Sequence, residues 1–220
     1  MAPAKIAPKR PDGRTLRRKR SASAARAKLP RRQEIFDAAA LLMGQRGFVG
    51  TTIEEVAQQL ELTKAALYYY VSNKEELLYQ ILDQTLTLAL ERVAAVERSA
   101  APPAKKMSDV IETFVRLVAE RPQFFTVYFQ EKGHLGREHL QAVTRQERRI
   151  VETVQRIYRR GSAGRSFRAL DPVAATFGVL GLCFWVYQWY RPGGRLSVDD
   201  VVRTFQDLAA RGYLAQRAAR

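Results

Sequence analysis

Residues 51–78 read TTIEEVAQQLELTKAALYYYVSNKEELL. Thr52 is a good N-cap, and Glu55 three residues later completes a capping box, in which each side chain satisfies a backbone N–H that the helix leaves free. Ile53, Val56, Ala57 and Leu60 recur at helical spacing, so this first short helix has one apolar face. Glu61-Leu62 makes a turn, and Thr63 caps a second helix running from Lys64 to about Tyr70. Ser72 with Glu75, or Asn73 with Glu76, offers alternative capping boxes for a third helix. Two short helices joined by a tight turn form a helix-turn-helix unit, whose second helix can lie in the major groove of DNA.

Working outward, Ile35, Ala38, Ala39, Leu42 and Met43 mark one face of a preceding helix, which Gly44 weakens and Gly47 ends. Phe48 is expected to pack beneath the helix-turn-helix unit. The third helix carries Leu77, Leu78, Ile81, Leu82, Leu86 and Leu90, a run too long for the small unit alone. It should continue into the rest of the chain as a mechanical link. After the break at Ala100–Ala104 comes a helix that stops before Pro122, then a short aromatic helix or turn through Phe129. Glycines bracket a loop, and a long Arg-rich helix follows from about Glu138 to Arg160. A polar loop spans Gly161 to Leu170. Asp171-Pro172 opens an apolar helix to Tyr190, and Ser197 with Asp200 caps a last helix that stops at Gly212. No strand survives this reading, so the fold class is all-α.

The pattern Thr52-Ile53-x-x-Val56-Ala57, Leu67-Tyr68-Tyr69-Tyr70-Val71 and Asn73-Lys74-Glu75-x-Leu77-Leu78 resembles the DNA-binding signature of the TetR family of bacterial repressors, over about Arg31 to Leu82. Two positions depart from that pattern. Glu61 stands where the family usually has a turn glycine, and Ala65 where many members have a glycine early in the recognition helix. Glu tolerates a positive φ poorly, so the turn is where the departure would be felt. The resemblance implies a three-helix DNA-binding domain at 31–80 and a helical ligand-binding and dimerisation domain at 81–220. It also implies a homodimer on a palindromic operator in double-stranded DNA, with a small-molecule effector. By the same resemblance Lys64, Ala65 and Tyr68 face base edges and Thr52, Tyr70 and Lys74 hold phosphates. Thr63 and Tyr69 join them on the DNA-binding surface, while Leu67, Val71 and Leu77 are core.

Charge is unevenly spread over the 220 residues, whose net charge is +15. Residues 1–30 carry 10 Lys/Arg against one acid, residues 31–80 carry 5 against 7, and the remaining 22 against 14 follow. The reading head is therefore not itself basic, and phosphate attraction falls largely to the tail. That tail, disordered by composition, includes the run Arg14–Arg20; it is open whether this enters a minor groove or only solubilises the chain. The single cysteine, Cys183, rules out an intramolecular disulfide and fits a reducing cytoplasm; it reads as core packing. The basic N-terminus lacks an apolar stretch behind it and does not read as a secretory signal. His134 and His139 read as solvated loop residues, since their spacing of five suits neither a metal nor a catalytic pair. No phosphate-cradling glycine motif is present, and an enzyme lacks any candidate constellation. No cofactor is expected.

The run Pro172–Tyr190 is apolar enough to raise a membrane span, but Thr176, Gln188 and the lack of a second span favour a helix buried between subunits. A peripheral membrane or scaffolding protein using this run and the basic tail is the alternative reading. As a dimer, the chain would place Trp185, Trp189, Val201, Phe205 and Leu208 in a four-helix interface formed by 172–190 and 198–211. Trp185-x-x-x-Trp189-Tyr190-Arg191-Pro192-Gly193-Gly194 with Leu196-Ser197 is similar to TetR-family regulators that answer to acyl-CoA thioesters of fatty-acid or sterol breakdown. An acyl chain would then lie among Phe114, Phe125, Phe129, Val151, Val154 and Phe184. Arg145, Arg148 and Arg149 would hold the CoA phosphates, in place of being only a solvated face paired with Glu147 and Glu152.

Overall fold

The computed structural model describes residues 32–213, and the basic tail expected at 1–30 lies outside them. Helix α1 covers residues 32–46, and Gly47, with φ of 75°, ends it as expected. Helices α2 (Ile53–Gln59) and α3 (Lys64–Tyr68) follow. The Thr52–Glu55 capping box is present in full, and the Thr63 hydroxyl accepts from the Ala66 N–H at 3.1 Å. The second helix ends two residues earlier than expected, because Tyr70 donates back to Leu67 in a tighter turn. Between the two helices Glu61 takes a φ of 55°. Its N–H goes to Gln58 and that of Leu62 to Ala57, the paired bonds of a Schellman stop that glycine usually makes.

Helix α4 (Lys74–Arg98) is capped by Asn73, not Ser72, and its 25 residues span about 37 Å. Leu77, Leu78, Ile81 and Leu82 are buried near its start, and Leu86, Ala89 and Val93 further along. One rigid element thus runs from the core under the helix-turn-helix (the head) into the rest of the chain (the body). The body comprises α5 (Pro103–Glu120), α6 (Pro122–Glu131), a single 3₁₀ turn Lys132–His134, α7 (Arg137–Ala163), α8 (Pro172–Phe184), α9 (Val186–Trp189) and α10 (Val198–Tyr213). Helix α4 packs along α7, with α5 and α6 on its other sides, and α8 and α10 close over α5. No strand occurs among the described residues.

Two expectations for the body need correction. The apolar run is divided at Trp185 into α8 and α9 rather than forming one helix to Tyr190. By length and composition Pro172–Trp189 could still cross a membrane, yet α8 is packed on α5 and α7. The polar loop expected at 161–170 begins as the last turn of α7 and is not simply polar: Phe167 is buried, and a Cβ on Gly161 would stand 2.2 Å from its ring. Only glycine permits that approach.

Candidate nucleic-acid interface and effector cavity

On the outer face of the head, Thr52, Thr63, Lys64, Ala65, Tyr68 and Tyr69 are exposed, while Tyr70 is half-buried edge-on to Tyr69. Leu67, Val71 and Leu77 are buried beneath them, as the resemblance implies. Leu67 is the buried residue of α3, and Lys64, Ala65 and Tyr68 on its other sides stay exposed. Lys64 is ion-paired with Glu54 of α2 and leans over the Tyr68 ring. Its hydrogen bond to Glu54 raises the lysine's pKa and lowers the glutamate's, so both stay charged. A carboxylate therefore shares the face that the recognition helix presents, a neighbour that sequence patterning did not reveal.

Lys74 is placed differently from the rest. Its ammonium donates to the carbonyls of Phe48 and Thr51, both at 2.9 Å, and lies 4.4 Å above the Phe48 ring. Two of its three N–H groups are thus engaged inside the head. Its position ties the turn after α1 to the start of α4.

The two histidines sit at a joint: His134 is exposed in the 3₁₀ turn as expected, but His139 is half-buried on α7, and both have specific partners. His134 stacks on Phe48 with ring centroids 4.8 Å apart, and Glu131 beside it accepts the Phe48 N–H at 3.0 Å. His139 stacks on Tyr79, faces the Glu75 carboxylate at 2.9 Å and lies 3.4 Å from that of Glu76. Glu75 also accepts the N–H of Gly136. Body residues thus grip the first turn of α4 and the turn after α1, while no cluster of metal-binding type occurs among the described residues. The spacing of the histidines carried no trace of this, since their partners lie about 60 to 90 residues away.

Inside the body a cavity of about 510 Å³ opens between α4, α5, α6, α7 and α8. Phe114, Phe125, Phe129, Val151 and Phe184 line it, and Arg148 stands at its rim. The aromatic wall is continuous: Phe114 meets Phe184 edge-on at 5.1 Å, and Phe129 lies 5.5 Å from Phe184. Three expected ligand residues fall outside it. Val154 is buried one helical turn beyond Ile150, past the cavity's end. Arg149 lies two residues from Glu147, on the opposite side of α7, and Arg145 is exposed away from the lining. Glu147 serves Tyr128 and Lys132 rather than an arginine, and Arg156 pairs with Glu97 at 2.8 Å. The sequence reading missed Tyr128, Lys132 and Glu147 because each looks like an ordinary amphipathic-helix residue.

A second apolar surface lies on α8 and α10. Val173, Phe177 and Trp185 form a stripe along α8, with Phe177 55% and Trp185 62% exposed; Trp189 and Leu208 extend it. Phe205 is half-buried against Trp189. Val201, expected in the interface, is instead 2% exposed and packs within the subunit, because it lies on the face of α10 turned to α5. Cys183 is fully buried on α8, and burial pushes its thiol pKa well up, which leaves it inert.

Comparison with known proteins agrees with this geometry. Residues 35–81 match the model of bacterial regulatory proteins of the tetR family, and residues 100–213 match a tetracyclin repressor-like C-terminal domain. The transcriptional repressor KstR2 of Rhodococcus jostii is 25% identical over 184 residues, covering 83% of this chain and 90% of that one. The TetR-family regulator PfmR of Thermus thermophilus is 30% identical with a TM-score of 0.76, over 80% of this chain and 97% of that one. AibR, solved with isovaleryl coenzyme A and operator DNA, is 26% identical with a TM-score of 0.74, over 81% of this chain and 97% of that one. The chain belongs to the TetR family and is a DNA-binding transcriptional repressor of that type, not an enzyme.

Proposed function

We propose that this repressor holds a palindromic operator as a homodimer and releases it when an acyl-CoA thioester enters the body. The observation that carries the reading is the cavity itself, walled on one side by Leu86 and Ala89 of α4, the helix whose first turn abuts the recognition unit. Its aromatic wall suits an acyl chain, worth about 0.8 kcal/mol for each methylene buried. Arg148 at the rim suits a phosphate outside it. The similarity to AibR, which was solved with such a thioester and with DNA, supports the same class.

In this reading residues 31–80 read DNA and 81–220 bind effector and partner, while 1–30 add charge. Lys64, Ala65 and Tyr68 meet base edges, and Thr52 and Tyr70 meet phosphates. The apolar stripe of α8 and α10 meets its copy across a two-fold axis, setting the heads about one DNA turn, ~34–36 Å, apart. The effector must prefer a head spacing that misses this distance, since equal affinity for both states would shift nothing.

Operator fragments selected from random DNA give the target, and fluorescence anisotropy then follows release. An acyl-CoA should release it, while the free acid and CoA alone should each act far more weakly. Arg148→Glu should blunt the response to the thioester without lowering operator affinity. A free acid as potent as its thioester would show that the cation plays no part, and would point to a simpler apolar effector.

A further inference from the structure

One side of the cavity is unlike the rest. The Tyr128 hydroxyl donates to Glu147 Oε1 at 2.6 Å, and Lys132 Nζ donates to the same oxygen at 2.7 Å. All three side chains line the cavity, next to Phe129 and Val151. Burial pushes the Tyr128 phenol pKa well up, so the group remains a proton donor beside the carboxylate.

A saturated hydrocarbon chain laid against such a group would strip it of water and return no hydrogen bond, which disfavours that ligand. A hydroxyl there donates to Glu147 and accepts from Lys132, replacing the water it displaces. A keto oxygen accepts from Lys132. The carboxylate and ammonium already neutralise each other, so a ligand carboxylate would add a second negative charge beside Glu147 and is disfavoured. We infer that Tyr128, Glu147 and Lys132 form a recognition subsite for a neutral oxygen function, hydroxyl or keto, carried by the acyl part of the effector. This rests on the acyl-thioester reading above and narrows it to oxygenated acyl groups.

The subsite is also placed to be felt. Lys132 opens the 3₁₀ turn that ends in His134, and the residue before it is Glu131. His134 and Glu131 are the groups that grip Phe48 of the head. A ligand oxygen that draws on Lys132 therefore acts on the segment next to that grip.

The test compares release of a labelled operator from the full-length protein by octanoyl-CoA and by positional series of its hydroxy and oxo derivatives. At least one oxygenated isomer should act at about tenfold lower concentration than octanoyl-CoA, the worth of one hydrogen bond to a charged group. Glu147→Gln and Tyr128→Phe, each nearly isosteric, should shrink that ratio. The ratio is taken within one protein, so a general loosening of either variant does not imitate the effect. Octanoyl-CoA matching every oxygenated isomer, or an advantage that survives both substitutions, overturns the subsite while leaving the thioester reading in place. Failure of every thioester to release the operator overturns that reading, and the subsite with it.

Discussion

Head and body bring their functional side chains together by opposite means. In the head, the exposed face from Thr52 to Tyr70 is built within 19 residues of chain, and each helix start is fixed by a side chain within three residues of it. In the body, the cavity joins Thr85 to Phe184 across five helices, and its polar corner joins Tyr128 to Glu147 across a turn and a loop. Their charges differ as well. Lys64 is committed to Glu54, Arg46 to Glu55 and Lys74 to two carbonyls, so the head's cations are largely engaged internally. The recognition face is set by local rules, while body residues hold the head at Phe48 and the first turn of α4; a cavity organised by packing can instead be reshaped by what fills it.

The most severe way to break that comparison is to empty the head's own core. Leu67 is fully buried under α3, and Leu67→Ala should cost about 3 kcal/mol. If the head is an independent unit, thermal melting followed by circular dichroism should split into two steps, and operator binding should vanish with the first. A single transition displaced as a whole would show that α4 makes head and body one cooperative unit.

What the sequence revealed follows the same division. Capping boxes, the recognition-helix face and the break at Ala100–Ala104 are contiguous signals, and the helices lie where they imply. Of the expected cavity residues, Phe114, Phe125, Phe129, Arg148, Val151 and Phe184 are in place because helical period predicts a face. Period does not say where along the helix a cavity ends, and Val154 falls beyond it for that reason. Nor does it say which neighbour an apolar face meets: Val201 turned to α5 rather than to a partner. The joint of His134, His139, Phe48 and Glu75 depends on which chain segments meet, and no local pattern encodes that.

Lys74 sharpens the comparison from the other side, since it belongs to the head's internal frame and was expected on a phosphate. Lys74→Met keeps the stem and removes the charge, taking the ammonium from the Thr51 carbonyl and leaving the Phe48 carbonyl only the Thr51 N–H. Thermal stability should fall by about 1.5–3 kcal/mol. If the remaining N–H also reaches DNA, the slope of log affinity against log salt should drop by about 1 per subunit. A lowered stability with an unchanged slope would confine Lys74 to the frame.

The smallest expected effect is a gain, at the one place where the head departs from its own local rules. Glu61 occupies the left-handed region, with φ of 55°, where an L-residue other than Asn or Asp is strained by about 1–2 kcal/mol. Glycine removes the strain but loses more backbone entropy on folding, about 0.5–1 kcal/mol. Glu61→Gly should therefore stabilise the head by about 0.5–1 kcal/mol net. The substitution also removes a negative charge, so a rise in DNA affinity alone would not identify the cause. Glu61→Asn tolerates the same φ and is neutral, whereas Glu61→Gln is neutral but keeps the strain. Melting temperature should rise for Gly and Asn and stay near wild type for Gln, while DNA affinity should rise for all three. Equal stabilisation by Gln would mean that repulsion among the head's acids, not the turn, is what Glu61 contributes, and the Schellman stop would then form without measurable strain.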